Sequence, residues 1–107
     1  MFARISAAAA ALALLATSAQ AARPGPYASA GELAAAMGAG QVTSEALVRA
    51  YLARIAALDR AGPRLNSVLT LNPHALADAR KLDAERRAGH VRGPLHGIPI
   101  LLKDNIE

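Results

Sequence analysis

The C-terminal stretch, residues 93–107, constrains the fold of this chain more than any other part of the sequence. A turn rich in glycine and proline leads into an apolar run, residues 98–102, which ends at Lys103. An apolar run of this length between turn signals is typical of a strand buried on both faces of a sheet. Pro99 lies inside the run and cannot donate to a β-ladder, so we expect the strand to bend in from the preceding loop.

Lys103 is the residue of this stretch that most needs an explanation. At the end of a buried strand, desolvation disfavours the charged ammonium form of a lysine. In α/β proteins, the carboxyl ends of the strands are also where ligands bind. The alternative is a lysine that reaches water while its aliphatic stem covers apolar surface. The apolar pattern alone leaves both interpretations open.

A resemblance to a known family favours the first interpretation. Residues 93–106 read Gly-Pro-Leu-His-Gly-Ile-Pro-Ile-Leu-Leu-Lys-Asp-Asn-Ile, and three further stretches precede them at 42–48, 54–59 and 65–69. Together, and in this order, they resemble the N-terminal region of the amidase signature family up to its first catalytic motif. The resemblance covers about residues 29–107. Gly-Ile-Pro followed by Lys-Asp-Asn is far more specific than a lone glycine pattern.

This resemblance implies a fold and a chemistry. The family has an α/β fold with a large mixed sheet surrounded by helices, and its members hydrolyse or transfer amide groups through a Ser–cis-Ser–Lys triad. Carried over by position, the catalytic lysine is Lys103, which would act as the base once neutral. A small-molecule or peptide amide is the implied substrate. No cofactor and no metal are implied.

The two serines of the triad have no counterpart among the residues of this sequence. In the family they lie downstream of the lysine motif, and the sequence stops at Glu107. Ser29, Ser44 and Ser67 occupy helix-cap or strand positions, and none lies in a glycine-rich elbow. We therefore expect the N-terminal fragment of an amidase, inactive alone, whose unpaired strand edges favour aggregation.

The first 21 residues predict export. A charged start with Arg4, an apolar stretch over residues 5–16 and the small residues 17–21 form a signal peptide, with cleavage after Ala21. The apolar stretch is too short to span a membrane, and the sequence contains no cysteine for lipidation. We expect a periplasmic or extracellular protein without a stable membrane anchor.

Local patterns divide the mature chain into an irregular arm, residues 22–28, and a structured part, residues 29–107, which the resemblance assigns to the truncated N-terminal part of an amidase domain. The order of elements is helix, helix, strand, helix, strand. Ser29 and Glu32 form a capping box for a helix ending at Gly38, and Thr43 or Ser44 caps the next one.

The second half of the chain predicts a right-handed βαβ unit. Its strands are residues 65–71 and 98–102, and its helix begins at Asn72–Pro73 and ends at Gly89. The fold class is therefore α/β, with N-terminal helices and one βαβ unit. On the βαβ helix the expected inward residues are Leu76, Ala79 and Leu82, and the outward ones are Asp78, Lys81, Asp83, Glu85, Arg86 and Arg87.

Composition excludes some functions and leaves others open. The net charge of +4 comes with only three aromatic residues, so the chain lacks the basic stripe or stacking platform of a nucleic-acid-binding protein. His90 and His96 lack a third ligand for a metal. Two alternatives remain: an amidase subunit that forms amidated transfer RNA, which export disfavours, and a small exported helical binding protein. The latter would be a stable, soluble monomer over residues 22–107, whereas an amidase fragment would be sticky and poorly folded.

Overall fold

The computed structural model describes residues 24–105. They form helix α1 (Ala30–Gly38), helix α2 (Ser44–Ile55) with a short π-helical extension (Ala56–Arg60), and helix α3 (Ala75–Arg87). The predicted signal peptide, residues 1–21, lies outside the described residues. Within residues 24–105, no helix is long and apolar enough to cross a membrane.

Helix α1 begins and ends with local hydrogen bonds. The Ser29 N–H donates to Glu32 Oε2 at 2.7 Å, and the Glu32 N–H donates to Ser29 Oγ at 3.2 Å. The predicted capping box is confirmed. At the other end Gly40 has φ +71°, and the Gln41 N–H donates to the Ala36 carbonyl at 2.9 Å. This pattern ends the helix by satisfying carbonyls that have no partner within it.

Helix α2 begins at the predicted position, with Thr43 as the N-cap. Thr43 Oγ1 accepts from the Ala46 N–H at 3.1 Å. Within α2, an ion pair between Glu45 and Arg49 forms at 2.8 Å, and Arg80 from α3 reaches the same carboxylate at 3.0 Å. Both contacts lower the pKa of Glu45. The hydrogen bond from Arg80 contributes most, and the hydrogen bond from Arg49 contributes next. Glu45 therefore links the outer faces of α2 and α3.

Helix α3 begins later than the sequence predicts. The sequence predicts a start at Asn72–Pro73, but Asn72 Oδ1 accepts from the His74 N–H at 2.9 Å and the Asn72 carbonyl accepts from the Ala75 N–H at 3.2 Å. These bonds close a turn before the helix, because a short Asx side chain readily bonds the backbone two residues on. The predicted end is confirmed: Gly89 has φ +84° and follows the last turn.

The predicted βαβ unit does not form within residues 24–105, which contain no strand. Its helix is present, but both predicted strands lie as irregular segments without a ladder. At the first, Asn66 and Arg64, the residue before the segment, have positive φ values of 50° and 55°, and the backbone of Leu65 and Asn66 instead bonds the end of the π-helical turn. A strand requires a neighbouring backbone to complete its hydrogen bonds. Here residues 65–71 and 98–102 do not provide one for each other.

The core of the described part is small and lies where α1 and α2 meet the start of residues 98–102. Leu33 and Met37 of α1 are buried against Leu47 of α2, and Ile98 packs on this cluster. Helix α2 also packs along α3, where Ala79 is buried. Ile98 therefore attaches the start of the predicted strand at residues 98–102 to helices α1 and α2.

Candidate functional site

The candidate site is the segment that leads to Lys103. Its first part, residues 93–97, is a tight turn that we call the anchor loop. The His96 N–H donates to the Gly93 carbonyl at 3.1 Å, and the Ile98 N–H donates to the Leu95 carbonyl at 3.0 Å. Gly97 has φ +78°, a left-handed conformation that residues with a Cβ rarely adopt.

His96 attaches the anchor loop to α3. Its side chain is buried, with 6% of the residue exposed. Nε2 lies 2.8 Å from the Leu82 carbonyl, and Nδ1 lies 3.1 Å from the Arg92 backbone nitrogen. A carbonyl only accepts and a backbone N–H only donates, so Nε2 carries the proton and Nδ1 is bare. The geometry therefore specifies the neutral Nε2–H tautomer.

Two arginines reinforce this attachment. Arg86 of α3 donates from Nη2 to the His96 carbonyl at 3.1 Å. Arg92 binds the carboxylate of Glu85 through Nε and Nη2, at 2.7 Å and 2.6 Å. That bidentate pair lowers the pKa of Glu85, chiefly through the hydrogen bond from Arg92, and raises the pKa of Arg92 for the same reason.

Helix α2 holds the other end of the anchor loop. The Ser44 hydroxyl donates to the Gly97 carbonyl at 2.5 Å. A Cβ atom at Gly97 would lie 3.1 Å from Ser44 Cβ and 3.3 Å from Ser44 Oγ. Glycine is thus required here for its backbone conformation and for the close approach of Ser44.

Asp83 fixes Ser44 in turn. The Asp83 carboxylate accepts from the Ser44 N–H at 2.8 Å through Oδ1 and from the Glu45 N–H at 3.0 Å through Oδ2. A carboxylate at a helix N-terminus satisfies free amides and interacts favourably with the positive end of the helix dipole. Only 8% of Asp83 is exposed, so the prediction that it points outward is wrong.

The segment changes character after Pro99. Leu101 and Leu102 are 76% and 77% exposed, and Lys103 is exposed as well. The sequence predicted a buried strand with a desolvated lysine at its end. In the described residues the dry surroundings of Lys103 are not present, because no neighbouring strand covers the run.

The three serines considered in the sequence have structural roles here. Ser29 caps α1, and Ser44 holds the anchor loop. Ser67 donates its hydroxyl and its backbone N–H to Asp59 Oδ1, both at 2.6 Å. Those bonds lower the pKa of the buried Asp59, the hydroxyl contributing most. Each hydroxyl is therefore committed to a local hydrogen bond.

Sequence reasoning missed the residues that hold the anchor loop: Asp83, Arg86 and His96. A signal for the first two was present. Asp83 and Arg86 follow the inward-facing Ala79 by four and seven residues, which places all three on one face of a helix. Both residues were nevertheless predicted to point outward because they are charged. Across residues 24–105, no three His, Cys, Asp or Glu side chains come together as a metal site.

Comparison with known proteins identifies the family. The family model described as Amidase matches residues 46–107, more than half of the chain. The chain belongs to the amidase family. The resemblance inferred from the sequence is thereby confirmed.

Among curated proteins, this amidase chain is similar to a putative amidase of Schizosaccharomyces pombe, with 47% identity over 66 residues. That match covers 62% of this chain and 11% of the relative. It is also similar to a glutamyl-tRNA(Gln) amidotransferase subunit of Chloroflexus aurantiacus, with 47% identity over 73 residues, covering 67% of this chain and 14% of the relative.

Among solved structures, the native peptide amidase of Stenotrophomonas maltophilia matches with a TM-score of 0.73 and 60% identity, over 78% of this chain and 18% of that chain. A peptide amidase in complex with the competitive inhibitor chymostatin matches with a TM-score of 0.74 and 58% identity, over 76% and 17%. The chain therefore spans less than a fifth of the length of these relatives.

Proposed function

We propose that this chain contributes the base-bearing segment of an enzyme that hydrolyses carboxamide bonds, with Lys103 as the general base. The observation that carries the proposal is the family match over residues 46–107, which includes the whole lysine motif. The 58–60% identity to peptide amidases supports a peptide amide as the substrate. The proposed reaction needs no cofactor.

The proposed mechanism follows from the demands of amide hydrolysis. Neutral Lys103 accepts a proton, relayed through a bridging serine in a cis peptide, from a nucleophilic serine. The serine oxygen attacks the carbonyl carbon, the C–N bond breaks, and the amine leaves with a proton. Water then hydrolyses the acyl-enzyme and releases the carboxylic acid. Both serines would come from protein outside residues 1–107.

We further propose that residues 1–107 alone do not hydrolyse amides. General-base catalysis by a lysine requires surroundings that favour the neutral amine. Lys103 is exposed, and so are the apolar residues before it. Protein that covers residues 100–103 would have to exclude water before Lys103 could act as a base.

A graft into a working enzyme tests the role of Lys103. The matching segment of the Stenotrophomonas peptide amidase is replaced by residues 29–107 of this chain, and hydrolysis of a peptide amide is followed. We expect the graft to be active. The Lys103→Ala version should lose at least about 100-fold in kcat, the usual contribution of a general base.

Lys81→Ala in the same graft is the matched control, because Lys81 is an exposed lysine on α3. It should leave kcat unchanged. Full turnover by the Lys103→Ala graft would disprove the role of Lys103, provided that the graft itself is active. Chymostatin inhibition reports separately whether the substrate site has formed.

The similarity to glutamyl-tRNA(Gln) amidotransferase subunits, at 45–47% identity, supports a second candidate function, amide transfer. The two candidates differ in what they require. Hydrolysis of a peptide amide by the active graft without any transfer RNA supports the first. Turnover only in the presence of a charged transfer RNA supports the second.

We also propose that the protein is exported, on the basis of the leader-like pattern in residues 1–21. Expression with the native N-terminus in a Gram-negative host should place the protein in the periplasm, beginning at Ala22. N-terminal sequencing of the periplasmic protein checks this. A cytoplasmic product that still begins at Met1 would contradict it.

A further inference from the structure

His96 is a buried histidine that the proposed chemistry does not use. It lies in the anchor loop, close to Lys103 along the chain, and its ring bonds two different elements. Nε2 donates to the Leu82 carbonyl on α3, and Nδ1 accepts from the N–H of Arg92, the residue just before the loop. Both bonds exist together only in the neutral Nε2–H tautomer.

We propose that His96 is a positioning residue: in its neutral form it joins the anchor loop both to α3 and to the Arg92 backbone just before the loop, and protonation of Nδ1 releases the Arg92 backbone. An imidazolium carries protons on both nitrogens, so Nδ1 can no longer accept from Arg92. The loss leaves a backbone N–H without its acceptor beside a buried ring. This attachment does not depend on Lys103 acting as the base.

Charged groups of both signs lie near His96: a positive charge opposes its protonation, and a negative charge favours it. Arg86 donates to the His96 carbonyl and places a positive charge beside the residue. Glu85 supplies a negative charge, but both of its oxygens already bind Arg92. Asp83, on the same helix, accepts from the α2 amides. At the neighbouring Gly97, the side chains nearest to an added Cβ are the uncharged Ser44 of α2 and Met37 of α1.

The release would be local. The Ser44 hydroxyl and the Ile98 packing would still hold the end of the loop nearest Lys103. The Arg92 N–H would therefore lose protection first, while the helix amides stay protected. A change confined to the loop distinguishes this device from general acid unfolding, in which all amides exchange together.

Nitrogen-15 NMR on the full chain tests the proposal, with the exposed histidines His74 and His90 as internal references. Near neutral pH, the His96 ring should show the Nε2–H tautomer. As the pH is lowered, the Arg92 amide should lose protection in step with protonation of His96, whichever pH that protonation requires. The expected loss is about tenfold, the factor for one hydrogen bond.

Two variants separate the roles of shape and charge. His96→Asn places an uncharged amide oxygen near the position of Nδ1, so the Arg92 amide should stay protected at both pH values. His96→Ala should expose that amide at both. His90→Asn is the matched control and should behave like the wild type. If His96→Ala fails to fold, amide protection of Arg92 in the wild type and in His96→Asn still tests the proposal.

Three results would overturn the proposal: an Nδ1–H tautomer, protonation of His96 without any change at Arg92, or equal loss of protection in His96→Asn at acid pH. None of these depends on amide hydrolysis. If the graft shows that Lys103 is not the base, the attachment through His96 still stands. If the NMR experiment overturns the attachment, the role of Lys103 still stands.

Discussion

The two halves of the segment leading to Lys103 differ in how they are held. The anchor loop, residues 93–97, is bonded by α2 through Ser44 and by α3 through Leu82 and Arg86. Residues 100–103 are exposed. Substitutions in the first half should therefore act on the fold, and substitutions in the second half should act on the chemistry. The following predictions test this division, beginning with the largest expected effect.

Asp83→Ala should give the largest loss of stability. It removes the acceptor for the Ser44 and Glu45 amides at the start of α2, and we expect a loss of about 3 kcal/mol in the free energy of unfolding. Urea unfolding followed by circular dichroism measures it. Asp78→Ala, an exposed aspartate on the same helix, should cost less than about 1 kcal/mol. Equal losses in both variants would show that Asp83 does not anchor α2.

Gly97→Ala should come next, with a loss of about 2 kcal/mol, since an alanine there combines a left-handed backbone with a close contact. The contact is with Ser44, 3.1 Å from the added Cβ. Gly93→Ala is the control, because nothing lies within 4 Å of a Cβ at that position. It should stay within about 0.5 kcal/mol of the wild type. The same urea titration compares them, and a neutral Gly97→Ala would contradict the tight approach of Ser44.

Acid should weaken the anchor loop through Glu85. Its pKa is lowered in the folded chain, chiefly by the hydrogen bond from Arg92. A lowered folded-state pKa adds stability that is present above the ordinary range of a glutamate and is lost as the pH falls through the folded value. Arg92→Ala should therefore be less stable than the wild type at neutral pH, and the difference should shrink near about pH 3.

Unfolding free energies of both proteins across this pH range measure the effect. Arg87→Ala removes an exposed arginine from the same end of α3 and serves as the control, with no comparable pH dependence. A difference between Arg92→Ala and the wild type that is constant with pH would show that the ion pair does not contribute.

Leu101→Gln should have the smallest effect on the chain. Leu101 is 76% exposed, so its replacement should change the free energy of unfolding by less than about 0.5 kcal/mol. In the active graft, where water would have to be excluded from Lys103, the same substitution should lower kcat. A large loss of stability in the isolated chain would show that residues 100–103 are packed after all, which would remove the contrast between the two halves.

Local patterns predicted the helices well and their environment less well. The capping box of Ser29 and the cap at Thr43 depend on a few adjacent residues, so the sequence carries that information directly. The predicted strands depend on a partner backbone, which residues 65–71 and 98–102 do not provide for each other within the described part. An apolar run indicates that burial is required, but it does not identify the neighbour that supplies it.

The sequence predicted the motif of the candidate site but not the contacts that hold the anchor loop. The motif led to Lys103 and to the family, because both depend on residue identity in a short stretch. The attachment of the anchor loop was missed because Asp83 and His96 satisfy buried groups on other elements. Polar residues with such partners are inward-facing despite their charge, and a hydrophobic pattern classifies them as solvated.

The distance along the chain between Ser44 and Asp83, 39 residues, sets an order for folding. Helix α2 can begin with Thr43 alone, because that cap lies within its own first turn. Its remaining amides find their acceptor only after α3 has formed and closed the intervening loop, which carries an entropic cost. On a chain that grows from its N-terminus, the Ser44 and Glu45 amides of α2 therefore lack this acceptor until synthesis passes residue 83. The anchor loop can bind to Ser44 only after that.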